Sequence, residues 1–429
     1  MKIKTITKSY REVAAITPKK QPKPKKPNIF FRTLLKLVSL PDLLATRFSF
    51  RKIGMERLGK REPCFYLMNH SSFIDLEMAV SMLYPKPLNI IATTDAFVGK
   101  EWLMRQIGCF PTQKFVTNIG TFFDVKHCLN KLKSSVLMFP EAGYSFDGRA
   151  TALPQNLGKL LKKLAVPLVM IRTYGAFLRD PLYNNLQRRK VKVSAEMEYM
   201  FSPQEIVEKS EEELQAAIEE QFTFDSFRWQ KENAVKIDEP FRADKLNRLL
   251  YKCPHCLTEG KMEGKGITLA CHACGKEYEL SEYGELAAKD GQGIFSSITD
   301  WYDWEREEVL RELKNGSYAM DVPVKIAILK DTKALYFVGE GRLTHKESEG
   351  FHLNGCDGEL DYIQKPHSTY TLNADFNWYE IGDVIGIGDA KNLYYCFPMC
   401  KGDIVTKARL ATEEIYKRLS TSADRKETT

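Results

Sequence analysis

The apolar run Cys64-Phe65-Tyr66-Leu67-Met68 ends in Asn69-His70-Ser71-Ser72-Phe73-Ile74-Asp75. About seventy residues later a second apolar run ends in Phe139-Pro140-Glu141-Ala142-Gly143. Short continuous apolar runs bounded by such breaks read as buried strands. A chain with two of them, each followed by polar residues, is constrained to an α/β sheet with chemistry at its strand ends. A histidine near a carboxylate can act as a general base on a hydroxyl. The carboxylate fixes the imidazole tautomer and stabilises the imidazolium that forms. A lone His-x4-Asp pair in a strand-to-helix turn is commonly a structural hydrogen bonder. The later strand-Pro-Glu at this spacing favours the chemical reading of His70 and Asp75.

Residues 60–220 resemble the glycerolipid acyltransferase family, whose best-known members are 1-acylglycerol-3-phosphate acyltransferases. Four blocks carry the resemblance. Asn69, His70 and Asp75 match Asn-His-x4-Asp. Gly108-Cys109-Phe110-Pro111-Thr112-Gln113-Lys114 stands where the second block ends in a basic residue, usually Arg. Phe139-Pro140-Glu141-Ala142-Gly143-Tyr144-Ser145 matches Phe-Pro-Glu-Gly-Thr-Arg-Ser, and Val166-Pro167-Leu168-Val169 the Val-Pro-Val strand. The resemblance implies His70 and Asp75 as catalytic pair, with Asn69, Lys114, Glu141, Ala142 and Gly143 shaping the substrate site, and Arg149 is a further candidate there from its nearby charge. Asn69 and the amides after His70 are the expected oxyanion donors.

The departures bear on the acceptor. Ala142 replaces a glycine and Tyr144 an arginine. Lys114 is a point charge where the family has a planar fork that grips phosphate in a bidentate way. Arg149, Arg172 or Lys159 could supply the missing charge. A lysophosphatidic acid acceptor is the family's expectation, and another lysolipid or a lipid alcohol is the alternative.

The net charge of +7 hides an asymmetry. Residues 1–61 hold 17 Lys or Arg and 3 acidic residues, so the remainder sums to −7. Lys19-Lys20-Gln21-Pro22-Lys23-Pro24-Lys25-Lys26-Pro27 cannot be helical and reads as a disordered arm over residues 1–28. Phe30 to Phe50 reads as an apolar helix flanked by basic residues. Together they fit an interfacial anchor on anionic lipid. A core helix is the bland alternative. A nucleic-acid patch is not expected, because no binding motif accompanies the charge.

No run is apolar enough to span a bilayer, and the first thirty residues do not pattern as a signal peptide. Ten cysteines without a disulfide framework suit a reducing compartment. The expected location is therefore the cytoplasmic side of a membrane, peripherally bound.

Strands are expected at Leu88–Thr93, Ser135–Phe139, Pro167–Tyr174 and Val191–Phe201. Helices are expected at Lys100–Ile107, Asn118–Leu132, Asn156–Leu164 and from about 203 to 222. This order predicts an α/β acyltransferase domain, a mixed sheet flanked by helices, over residues 29–225, followed by a connector at 226–250.

Cys253-x2-Cys256 and Cys271-x2-Cys274 then form two knuckles at the spacing of a four-thiolate zinc ribbon over 251–280. Four thiolates leave no open coordination position, so the zinc is expected to be structural. His255 and His272 are bystanders.

An acidic, aromatic helical linker follows at 281–315, with its helix at Ile298–Leu313. The β-rich segment 316–420 has expected strands at Val324–Leu329, Ala334–Val338, Thr369–Phe376, Ile381–Ile387 and Leu393–Phe397. A closing helix at Asp403–Leu419 makes this a C-terminal α+β domain with a pleckstrin-homology-like arrangement, before a polar tail at 421–429.

The expected reaction is transfer of a fatty acyl group from acyl-CoA or acyl carrier protein to a lysophospholipid hydroxyl. The rival reading is a non-catalytic lipid-binding scaffold.

Overall fold

Strands buried on both faces form where the sequence is continuously apolar, and the polar stretches between them supply caps and turns. The computed structural model describes residues 2–18, 21–114, 119–389, 391–400 and 404–427. Asn118 and Asp403, expected as first residues of helices, lie outside them. The chain forms two units: residues 20–182 with 186–229, and residues 1–19 with 183–185 and 230–429.

The N-terminal residues, expected to be disordered, contain ordered elements. Thr5–Thr7 is a strand (β1), and Tyr10–Ala14 is a helix (α1) started by a Ser9–Glu12 capping box. Further on, Asn89 Nδ2 donates to Lys25 O at 2.8 Å, and Arg105 Nη2 donates to Gln21 Oε1 at 2.6 Å. Pro24 and Pro27 are buried. Proline excludes a helix here, as expected, but side chains of the first unit hold the extended backbone in place.

In that unit the elements are α2 (Ile29–Ala45), β2 (Ser49–Ile53), β3 (Phe65–Met68), α3 (Ile74–Leu83), β4 (Leu88–Thr93), α4 (Glu101–Gln106) and β5 (Cys109–Thr112). They continue as α5 (Ile119–Lys126), β6 (Ser135–Met138), α6 (Leu157–Leu164), β7 (Leu168–Tyr174), α7 (Ala176–Arg179) and β8 (Ser194–Phe201). The helices α8 (Pro203–Glu208) and α9 (Glu211–Gln221) follow, and α10 (Ser226–Glu232) spans the boundary at residue 229.

Two expectations need correction. The helix expected over Phe30–Phe50 stops at Ala45. Arg47 takes a left-handed φ of 49°, and Phe48 and Phe50 then alternate into an edge strand, β2. The helix expected from 203 to 222 is two helices, because Ser210 starts a second capping box and breaks the first at Lys209.

The sheet order is β2-β8-β7-β3-β6-β4-β5. Strands β3 to β7 run parallel, while β8 is antiparallel to β7 and pairs in parallel with β2. The sheet is mixed, as expected. Along β3, Phe65 and Leu67 enter one core and Tyr66 and Met68 the other, so the strand separates two apolar layers. The C-terminal ends of β3, β6 and β7 therefore meet at one edge.

The second unit opens with a four-stranded sheet, β9 (Met262–Lys265), β10 (Thr268–Cys271), β11 (Glu277–Leu280) and β12 (Leu286–Ala288), all antiparallel. Helix α11 (Ile298–Lys314) follows; Lys252 Nζ reaches its Glu308 at 3.1 Å.

Seven antiparallel strands follow, β13 (Met320–Leu329), β14 (Leu335–Lys346), β15 (Gly350–Gly355), β16 (Leu360–Gln364), β17 (Asn373–Trp378), β18 (Gly382–Gly388) and β19 (Leu393–Pro398), then helix α12 (Ile404–Glu427). Their order is β16-β15-β14-β13-β19-β18-β17. The short β1 pairs in parallel with the first residues of β14, ahead of Gly341 where pairing with β15 begins.

Candidate active site

The turn after β3 positions the pair. Asp75, in the first turn of α3, is wholly buried. Its Oδ2 lies 3.1 Å from His70 Nδ1 and accepts the Ser71 and Ser72 amides at 2.6 and 2.9 Å. Its Oδ1 accepts the Thr173 hydroxyl at 3.3 Å. Three protein donors in addition to the imidazole hold one carboxylate, which fixes the ring nitrogen that faces it and leaves Nε2 as the nitrogen that Asp75 does not hold. The His70 ring stacks on Phe139 at 4.1 Å and meets the edge of Tyr144 at 4.6 Å.

Glu141, just past β6, does not face outward. It is 1 % exposed; Oε1 accepts the His70 backbone N–H at 2.9 Å. Oε2 accepts the Thr151 amide at 3.0 Å and its hydroxyl at 3.3 Å. Burial pushes the Glu141 carboxyl up to about 7, against the lowering effect of these donors. The Ser145 amide donates back to His70 O at 3.0 Å, so the turns after β3 and β6 are stitched together on both sides of the histidine.

Asn69 is equally committed. Its Oδ1 accepts the Thr173 amide at 2.8 Å and hydroxyl at 3.2 Å, and its Nδ2 donates to Thr173 O at 3.3 Å. The groups expected to steady an oxyanion, Asn69 and the two amides after His70, thus already have other partners. Ala142 sits at φ 53°, where an L-residue is strained and the family's glycine is not. A Cβ built on Gly143 would meet nothing within 4 Å.

A cleft lies beside the pair, lined by Asn69, Ser71, Glu141, Arg149, Arg172 and Tyr174 among others. Both of its arginines are ion-paired. Arg149 Nε lies 2.7 Å from Asp147, and Arg172 Nη2 lies 3.1 and 2.8 Å from Glu196 and Glu198. Lys114 is half-buried two residues beyond β5, at the same sheet edge. Thr173, Thr151 and Tyr144 are the contacts that sequence reasoning missed. They lie 98, 10 and 74 residues from the groups they meet, Asp75, Glu141 and His70, and only the third fell inside a recognised block.

In the second unit the thiols of Cys253, Cys256, Cys271 and Cys274 lie within 4.8 Å of one another. The Cys253–Cys274 and Cys256–Cys271 sulfurs are each 3.7 Å apart. That is far beyond a disulfide bond, and it equals the edge of a tetrahedron with metal–sulfur bonds of about 2.3 Å. The cluster could hold a metal ion. His272 instead lies 2.9 Å from Glu263, so it stands aside as expected.

Residues 49–173 match the acyltransferase family model. Over 127 residues the chain is 30% identical to a chloroplastic 1-acyl-sn-glycerol-3-phosphate acyltransferase of Brassica napus, covering 28% of this chain and 36% of that protein. The chain thus spans about a third of the length of that curated relative. Among solved structures it is similar to the 1-acyl-sn-glycerophosphate acyltransferase of Thermotoga maritima. The TM-score is 0.35 and the identity 18%, over 44% of this chain and 76% of that one.

Proposed function

We propose, from the premise that residues 49–173 belong to the acyltransferase family, that the protein moves a fatty acyl group from a thioester donor to a lysophospholipid hydroxyl. The donor is acyl-CoA or acyl carrier protein, and the reference acceptor is 1-acylglycerol-3-phosphate. The observation that carries this reading is the 3.1 Å approach of His70 Nδ1 to the buried Asp75. His70 Nε2 takes the acceptor's proton as its oxygen attacks the thioester carbonyl. The new C–O ester bond forms, the C–S bond breaks, and the proton passes to the departing thiolate. The thioester is already activated, so no acyl-enzyme is needed.

Glu141 acts in this reading on His70's backbone and shapes the acceptor site only indirectly. Acylation of a different lipid acceptor is the second reading. It is favoured by the ion-pairing of Arg149 and Arg172 and by Tyr144 in place of a basic residue, which leave little free charge for a phosphomonoester. The intact His70–Asp75 pair weighs against a non-catalytic scaffold.

Zinc is the metal proposed for the four thiolates, in a structural role. Seven antiparallel strands and a following helix support a pleckstrin-homology-like second unit. Peripheral attachment to the cytoplasmic side of a membrane with anionic lipid fits a lipid acceptor. Among the described residues no helix is long and apolar enough to cross one. Nucleic acid is not a proposed partner. The test is incubation with labelled acyl-CoA and a panel of lysolipids, wild type beside His70→Ala. Equal product from both would refute the reading.

A further inference from the structure

Asp180 is a buried carboxyl that acyl transfer itself does not use. It follows α7, the short helix that leaves β7 just past Thr173, and it is 5% exposed. Its Oδ2 accepts from Arg179 Nη1 at 3.1 Å, and Arg179, equally buried, also donates to Asp42 of α2. The guanidinium thus ties the segment after β7 to α2. An ion pair of this kind needs only one oxygen of Asp180.

The other oxygen, Oδ1, has no hydrogen-bond partner among the described residues, and neither has the hydroxyl of the fully buried Ser72. The two groups are neighbours. Burial pushes the Asp180 carboxyl up to about 7, Arg179 and the Ser72 hydroxyl draw it down, and Asp75 adds to the rise. A buried hydroxyl and a buried carboxyl oxygen each cost free energy when unmet, and rotation of the Ser72 side chain about χ1 satisfies both. A hydroxyl donates and accepts, so the contact is open to Asp180 with or without its proton. Ser72 stands in the turn between His70 and Asp75. Its amide donates to Asp75 Oδ2 at 2.9 Å, the same oxygen that His70 Nδ1 approaches.

We propose that Asp180 is a positioning residue for acyl transfer: it hydrogen-bonds the Ser72 hydroxyl and so holds the turn whose amides set Asp75 against His70. The proposal deepens the acyltransferase reading and rests on it. Asp180 does not line the cleft beside the pair, so its effect passes through Ser72 to the Asp75 carboxylate. A small misplacement of that carboxylate moves the imidazole it holds, and such shifts cost rate rather than binding. Arg179 and Asp42 keep Asp180 itself from turning away.

The test is steady-state kinetics of Asp180→Ala, Ser72→Ala and their double variant in the full chain, with labelled acyl-CoA and the best acceptor of the lysolipid panel. Each single change should lower kcat by about tenfold or more with KM little changed, since each removes the same contact. The double variant should be no slower than the slower single, because the second change finds nothing left to remove. Asp180→Asn keeps a group that can bond the hydroxyl and should restore most of kcat.

Wild-type kcat in folded Asp180→Ala or Ser72→Ala overturns the proposal, whatever happens to the melting temperature. So do losses that multiply in the double variant. An Asp180→Asn protein as slow as Asp180→Ala assigns the effect to charge and also overturns it. Should Asp180→Ala fail to fold, Ser72→Ala, which deletes one buried oxygen, carries the test. His70→Ala in the same assay separates the two readings. Equal product there refutes acyl transfer itself, whereas an inactive His70→Ala beside an unimpaired Asp180→Ala refutes the positioning role alone.

Discussion

The backbone N–H of His70 donates to Oε1 of Glu141 across 2.9 Å, joining the turns after two adjacent parallel strands. The side chain that the family pattern places in the acceptor site is therefore bonded to the histidine's own backbone. Glu141→Gln keeps one acceptor but presents an N–H to one of the two backbone donors, and an unmet buried amide costs about 1–3 kcal/mol. The expected result is a kcat lower by about 10- to 100-fold with KM little changed. A variant with raised KM and normal kcat would return Glu141 to direct acceptor binding.

The same residue predicts a pH dependence of stability. The Glu141 carboxyl is raised from 4.5 to about 7 by burial, so the folded protein holds this proton where the unfolded chain has released it. Its contribution is full below pH 4.5 and is lost as pH rises through about 7, an effect of roughly 3 kcal/mol at that shift. Asp180, also raised to about 7 by burial, acts with the same sign. Urea midpoints should fall between pH 4.5 and 7 in wild type and fall less in Glu141→Gln. Identical slopes would disprove the assignment.

Thr173 offers its hydroxyl to both Asp75 Oδ1 and Asn69 Oδ1 at 3.3 and 3.2 Å while 3% exposed. Thr173→Val removes that donor at nearly constant shape. A lost hydrogen bond to a charged group is worth about 1.5–3 kcal/mol, so kcat should drop by about tenfold or more. Thr173→Ser should restore kcat. A purely structural role would lower the melting temperature and leave kcat where it was.

The metal cluster has a simpler test. Purified protein should contain about one zinc per chain, and Cys256→Ser or chelation should lower both zinc content and the stability of the second unit, because structural metal supplies folding energy directly. Metal-free protein, isolated without chelators and equally stable, would rule out the ribbon.

His70, Asp75 and the four cysteines were legible because each group is local. A five-residue turn or a two-residue knuckle fixes its geometry, whatever the rest of the chain does. Thr173 was not, since nothing in Arg172-Thr173-Tyr174 marks it. It reaches Asn69 and Asp75 only through the parallel register that sets Met68 against Ile171. The strands β15 and β16 were missed because Gly350, Asn354, Gly355 and Asp361 carry little β-propensity and their pairing with neighbours decides the outcome. β1 was hidden by a basic composition that says how a segment is solvated and not which strand edge it completes.

Ala142 supplies the last prediction. It holds φ 53° in the turn between Glu141 and Gly143, where Cβ crowds the following carbonyl and costs an L-residue about 1–2 kcal/mol. Glycine removes that strain but loses more chain entropy on folding, about 0.5–1 kcal/mol. The strain is the larger quantity, so Ala142→Gly should stabilise the protein by up to about 1 kcal/mol, read from denaturant midpoints. The methyl group also adds bulk to the turn after Glu141 where the family has glycine. The variant should therefore accept lysolipids with larger headgroups better than wild type does, seen as a lower KM at similar kcat. A destabilised Ala142→Gly protein would mean that the turn relaxes around alanine, and that the residue is at ease where the backbone angle says it is strained.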